Sequence, residues 1–358
     1  MSSLITSFSH LANWFKSPVQ MQSSSPLVYL QHPLTTGQIL IFSILLASIQ
    51  IFGSPINCQT EGNPYDLHFI QEYCFTSSTF SMWTSTGAVY PGVGGGQGGE
   101  VVYHHWYQHL PLFFMVLSVL LKLPYLLWIW WEGGLMGMLV PTNSGVPSIN
   151  ILNWEEVKVY TTSLSKYFKR NIRSRAHRYY GYVNMFIELL CFVNLVIIII
   201  SLDIFLKNFL LYLPHILIHY VISPYSISPE EKMFPNFAKC SIKLFGPSGS
   251  NEVQDALCIL TINKINQKIF IWLWLWLATI LVRTILQLIY TISTAISPSI
   301  RRLILTMVAE ETIPNHIVTN LNRKLSNGDW LLLNRVVAHF TPDVITSILC
   351  DVELSLDE

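Results

Sequence analysis

Charge is scarce in this chain. Only 12% of its 358 residues are Asp, Glu, Lys or Arg, about half the share found in soluble domains. Acidic and basic residues balance at 21 each, so no field of one sign points to a nucleic-acid partner. A basic leader is missing too. The first residues carry no cationic n-region and the first long apolar run starts only near Ile39, which reads as a retained span rather than a cleaved signal. The glycine run at 91–99 lacks the lysine and hydroxyl of a phosphate loop and has no strand-then-helix frame. It is expected to be a flexible tip.

What the chain has instead is apolar residues gathered in long runs, with a mean hydropathy of +0.43. The clearest run lies between Tyr103 and Gly134. Its apolar centre, 110–131, is about twenty residues long, enough to cross a bilayer as one helix. Trp106 and Tyr107 on one side and Trp128, Trp130 and Trp131 on the other place amphipathic rings at both headgroup levels. Lys122 and Pro124 fall within it, which is tolerable only if the helix packs in a bundle. Three further spans are expected at 35–56, 182–206 and 268–290. Gln50, Glu188, Asn194 and Asp203 are polar residues in or beside these runs, and contacts between helices are their favoured reading.

The connecting segments differ in charge. Residues 57–109 carry Glu61, Asp66, Glu72 and Glu100 without Lys or Arg, whereas 132–181 holds Lys158, Lys166, Lys169, Arg170, Arg173, Arg175 and Arg178. The positive-inside rule puts 132–181 in the cytoplasm and the loops 57–109 and 207–267 outside. Both termini, 1–34 and 291–358, are then cytoplasmic. Leu4, Ile5, Phe8, Leu11 and Phe15 recur at helical spacing and predict a short amphipathic helix lying on the membrane or on another domain. An apolar patch at 210–222 is too short and interrupted for a span and is expected to pack on the outer face. Runs in 291–358 predict short helices separated by turns at Pro314 and Asn327-Gly328. The fold class is therefore an all-α membrane protein. Its four transmembrane helices form a bundle, with disulfide-bonded extracellular loops and a helical cytoplasmic region.

Four of the six cysteines, Cys58, Cys74, Cys240 and Cys258, fall in the two outside loops, where oxidising conditions favour pairing. Their spacings of 16 and 18 residues resemble no compact zinc-ligand pair. Four cysteines allow three connectivities, and all three stay open on these grounds. Cys191 and Cys350 are expected to remain reduced.

The order of motifs resembles the innexins, the gap-junction proteins of invertebrates. The likeness begins at Ser54-Pro55-Ile56-Asn57-Cys58 and continues through Tyr73-Cys74, Ser78-Thr79-Phe80 and Pro91-Gly92-Val93. The family's YYQWV signature is altered here to Trp106-Tyr107-Gln108-His109-Leu110. Leu123-Pro124-Tyr125, Leu127-Trp128 and Trp131-Glu132-Gly133-Gly134 follow. Phe192-Val193-Asn194, Phe234-Pro235, Ala238-Lys239-Cys240, the stretches at 246–250 and 255–258, and Gly328-Asp329-Trp330 complete it. The resemblance implies a channel subunit in the plasma membrane at gap junctions. It implies a homo-oligomeric ring of eight around a wide pore and hetero-oligomers with other members. It also implies docking with a ring in the apposed cell, contact with membrane lipids, and no cofactor. It implies the pairs Cys58–Cys258 and Cys74–Cys240, and it makes Leu4, Ile5, Phe8, Leu11 and Phe15 candidates for the pore lining. Neither outside loop holds an Asn-x-Ser/Thr sequon, so no N-glycan is expected to obstruct apposition.

Two other readings compete. His104, His105 and His109, with His215 and His219, have the spacing of histidine boxes in membrane metalloenzymes. A four-span adhesion protein would share bridged outside loops and conduct nothing. The Cys-Cys-Gly of tetraspanins and the Trp…Gly-Leu-Trp pattern of claudins are absent.

Overall fold

A computed structural model describes residues 33–60, 66–83, 92–94, 100–140, 142–143, 146–147, 154–172, 174–206, 214, 233–245, 248–308 and 314–357. The stripe Leu4–Phe15 and the patch at 210–222, apart from residue 214, lie outside these residues.

Among the described residues four helices are long and apolar enough to cross a membrane. They are α1 (Thr35–Phe52), α3 (Trp106–Glu132), α6 (Arg175–Phe205) and α7 (Thr261–Ile296). The last three have 27, 31 and 36 residues, and each begins before the apolar run that marks it in the sequence. Backbone hydrogen bonding carries a helix past its apolar stretch wherever polar turns find packing partners, so hydropathy underestimates helix length. The chain separates into two compact units, one holding Thr36–Leu120 and Val196–Thr279, the other Leu121–Leu195 and Ile280–Glu358.

The first unit is organised by a five-stranded antiparallel sheet built from segments between the spans. Its strands are β1 (Asn57–Gln59), β2 (Thr79–Trp83), β3 (Glu100–His104), β6 (Phe237–Phe245) and β7 (Asn251–Ile259), in the order β1-β7-β6-β2-β3. β6 and β7 form a long hairpin with Phe237 opposite Ile259 and Phe245 opposite Asn251. Along β6, Ala238, Cys240 and Ile242 alternate inward, the period-two pattern of a half-buried strand. They pack with Ile56, Ile70, Ala256 and Leu260 beneath helix α2 (Leu67–Ser77). Three of these strands have five or fewer residues, too few for alternation to stand out from loop sequence.

The second unit is helical. After α3 the chain turns through Gly133 and Gly134, whose φ values of 63° and 83° favour glycine. It continues through α4 (Leu135–Leu139), the short pair β4 (Thr142–Asn143) and β5 (Val146–Pro147), and α5 (Trp154–Asn171). Beyond α7 come α8 (Pro298–Val308), α9 (Asn315–Lys324), α10 (Asn327–Val337) and α11 (Pro342–Asp357). Val157, Leu164 and Phe168 of α5 join Trp330, Leu333, Val337, Ile345 and Leu349 of α10 and α11 in one core.

Candidate functional site

Two disulfides fix the sheet-bearing unit. Cys58 and Cys258 stand opposite each other on β1 and β7 and are bonded, with Cα atoms 4.0 Å apart. Cys74 projects from α2 onto β6 and is bonded to Cys240, with Cα atoms 5.7 Å apart. All four cysteines are buried. The bridges join residues 200 and 166 positions apart, so each closes a loop long enough to restrict the unfolded chain strongly. Sulfur atoms of Cys58, Cys74 and Cys258 lie within 4.8 Å of one another, the clustering of a metal site. Their bonding in bridges leaves no thiolate there to act as a ligand.

The start of α3 is seated on this unit. The Tyr107 side chain is buried, its hydroxyl 3.3 Å from Thr79 Oγ1, and its ring tilts against Phe75. Gln108 donates from its amide to the Phe75 carbonyl. Trp106 meets the rings of Phe205, Phe234 and Phe270 edge-on. Gln50 on α1 donates to the Tyr107 carbonyl at 2.9 Å, and Ser43 to the Pro111 carbonyl at 2.7 Å. Gln50 therefore ties one span to the next. In a bilayer such contacts satisfy groups that lipid cannot.

In the helical unit Pro124 is buried within an uninterrupted α3. Trp131 tilts against the rings of Trp128 and Tyr180. Glu132 accepts a hydrogen bond from the Met136 backbone at 2.9 Å, so its carboxylate caps α4 just beyond the glycine turn. The signature residues at the end of α3 thus build a corner.

A second corner joins α6 to α10. Gly181 and Gly328 let the two backbones touch. A Cβ on Gly328 would fall 1.8 Å from the His177 carbonyl oxygen, and one on Gly181 would fall 3.1 Å from Gly328 Cα. Beside this contact Asp329, wholly buried, closes the capping box of α10 with Ser326. His177 Nδ1 donates to Asp329 Oδ1 at 2.6 Å, and its Nε2 lies 3.0 Å from the Tyr167 hydroxyl. Burial, and then the Asp329 carboxylate, push the Tyr167 phenol above its usual range. Trp330 fills the core. Gly328, Asp329 and Trp330 therefore serve close approach, capping and packing in turn. Spacing alone did not pair Asp329 with His177, which is 152 positions away.

Among the described residues the first histidine box is not formed. His104 ends strand β3, is buried, and places Nε2 2.7 Å from Ser81 Oγ, while His109 is an exposed residue of α3. They share no helix face. His215 and His219 lie outside the described residues.

Compared with known proteins, residues 26–354 match the sequence model of the innexin family. The chain is 33% identical over 345 residues to innexin inx2 of Drosophila melanogaster, covering 92% of this chain and 91% of that protein. It is 30% identical over 341 residues to innexin inx2 of Schistocerca americana, covering 92% of each. Innexin shaking-B of Drosophila melanogaster is 27% identical over 324 residues, with 87% of this chain and 85% of that protein covered.

Proposed function

The chain belongs to the innexin family, and from that premise we propose how its two units serve a gap-junction channel. It is a multi-pass membrane protein of gap junctions and a subunit of an oligomeric channel that passes ions and small metabolites. The observation that carries this reading is the family match across 26–354 on a chain with four spanning helices. The paired cysteines in the two loops between the spans support it.

The finer reading is ours. Loops 57–109 and 207–267 face the extracellular gap, and 1–34, 132–181 and 291–358 face the cytoplasm. The exposed basic residues Lys158, Lys166, Lys169, Arg170, Arg175 and Arg178 support this orientation. The spans are 35–56, 110–131, 182–206 and 268–290; α1 ends at Phe52, short of the first, and α3, α6 and α7 cover the other three to within one residue. Eight subunits close a ring, alone or with other innexins, and two rings dock through the bridged loops. Leu4, Ile5, Phe8, Leu11 and Phe15 line the pore funnel from the amphipathic N-terminal segment. Ile197, Ile200 and Ile204, exposed on α6, meet lipid. The protein uses no cofactor or metal and carries out no catalysis.

Electrical coupling between paired cells that each express this chain alone tests the reading, with single-cell currents recorded alongside. Coupling lost on Cys58→Ser or Cys258→Ser is the expected result. Silence in both recordings, despite protein at the cell surface, would overturn it in favour of a bridged adhesion protein.

A further inference from the structure

Glu188 of α6 is a carboxylate only 2% exposed, between two spanning helices. Burying such a group is costly unless its oxygens are satisfied, and inside a span it marks a place where function depends on polar contact. Its Oε1 accepts from Asn184 Nδ2 at 3.2 Å and from Gln287 Nε2 at 3.3 Å, and its Oε2 accepts from Thr291 Oγ1 at 2.5 Å. Gln287 and Thr291 both belong to α7, so Glu188 fastens α6 to α7.

The cation stands one residue further on. Arg335 of α10 donates to Asn184 Oδ1 and, at 3.1 Å, to the Tyr180 hydroxyl. Its guanidinium lies over the rings of Trp128 and Tyr180, 5.3 and 5.8 Å from their centroids. The preceding residue of α10, Asn334, has its side chain beside Tyr290 of α7. Consecutive residues of the tail helix therefore reach the two spans that Glu188 joins. Asn184 is the link, since its carbonyl can face only the guanidinium and its amide only the carboxylate. An aspartate there would repel Glu188, and a leucine would meet neither.

We propose that Asn184 and Arg335 are positioning residues for channel gating, a polar clamp through which tail helix α10 sets the register of α6 against α7. The inference rests on the channel reading and deepens it. The clamp biases an equilibrium between two arrangements of the spans, the requirement for coupling two regions through a packed element.

The test is a mutant cycle on junctional conductance against transjunctional voltage in paired cells, with surface protein measured by biotinylation. Asn184→Asp sets two carboxylates together and is expected to change the open-to-closed ratio by about tenfold, the effect of losing one charge-assisted hydrogen bond. Glu188→Gln alone shifts it too. Combining the two substitutions again sets a donor against an acceptor, with the amide now on position 188 and the carboxylate on position 184. This double variant returns the voltage dependence towards the native curve. Arg335→Lys keeps the charge but not the forked donors and shifts it as well. Trypsin cleavage after Arg323 or Lys324 in native membranes provides a readout that does not need current. Asn184→Asp accelerates it and the double variant slows it again. Additive shifts, or an unchanged curve and cleavage rate in Asn184→Asp, overturn the clamp. If native pairs carry no current, the channel reading fails, and the cleavage cycle alone decides the clamp. A variant retained inside the cell is scored by the same cleavage cycle in membranes.

Discussion

Replacing Gly328 by alanine should reverse the usual sign of that substitution. In an unobstructed helix, glycine to alanine stabilises by about 0.5–1 kcal/mol, because alanine has less backbone freedom to lose. At Gly328 the new Cβ would lie 1.8 Å from the His177 carbonyl oxygen and 3.2 Å from the Arg178 amide nitrogen. Both are backbone atoms of α6, so no side chain can swing aside. To reach ordinary contact, α10 must move away from α6 by more than about 1 Å, on the order of the overpacking that costs about 1–3 kcal/mol. That movement also stretches the 2.6 Å bond between His177 and the buried Asp329. A hydrogen bond to a charged group contributes about 1.5–3 kcal/mol. We therefore expect a net loss of roughly 3 kcal/mol, after partial relaxation. Thermal unfolding of the detergent-purified protein, followed by the fluorescence of buried Trp330 and Trp128, should show a midpoint lower by about 4 °C. Gly137→Ala is the control, since its Cβ would meet nothing within 4 Å. The control should match the native midpoint or exceed it slightly. If both variants unfold at the same temperature, the contact between α6 and α10 is not as close as described and the reasoning fails.

Other expectations follow from the same geometry. Ser78 joins α2 to β2 with φ 145° and ψ 147°, a region that only glycine occupies comfortably. Ser78→Gly should raise stability by about 1 kcal/mol, seen as a higher unfolding midpoint, and a lower midpoint would refute the strain. Non-reducing peptide mapping should recover Cys58 with Cys258 and Cys74 with Cys240. Losing either bridge should cost about 4–5 kcal/mol through loops of this length and sharply reduce surface protein. Any other pairing would count against the sheet register. The Cys350 thiol is pushed up by burial and then by Glu353 and Asp351. Because the thiolate is the reactive form, alkylation at pH 7 should be slower than for an exposed cysteine, and its midpoint should lie above the usual value of about 9. A midpoint at or below that value would contradict the acidic, half-buried surroundings of Cys350.

Hydropathy was enough to find all four spans, because a helix in lipid must be apolar over a fixed length whatever it packs against. Aromatic residues at both ends of α3 and the charge contrast between the loops are likewise local signals. Turn chemistry marked Pro314, which precedes α9, and placed a second break at Asn327-Gly328, whereas these two residues open α10 and the break falls at Leu325-Ser326 just before them. Placing four cysteines in the loops on one side limited their pairing to three schemes. The motif order then identified the family.

Other features needed the chain to be assembled. The sheet was legible only in β6, where Ala238, Cys240, Ile242 and Leu244 alternate with Lys239, Ser241 and Lys243; the outer strands are three and five residues long, and β1 pairs with β7 across 200 positions. Pairing of that kind depends on which edges meet, and local propensity does not encode it. Asp329 read as an ordinary member of a Gly-Asp-Trp triplet, and only folding brings it to His177. Glu188 likewise read as one of several polar residues in a span. Its link through Asn184 to Arg335 exists because α10 crosses α6 where two glycines allow their backbones to touch. The sequence by itself determined which segments enter the membrane and where the chain turns. Tertiary structure decided which polar residues meet, because burial leaves each hydrogen-bonding group only the partners that packing brings within reach.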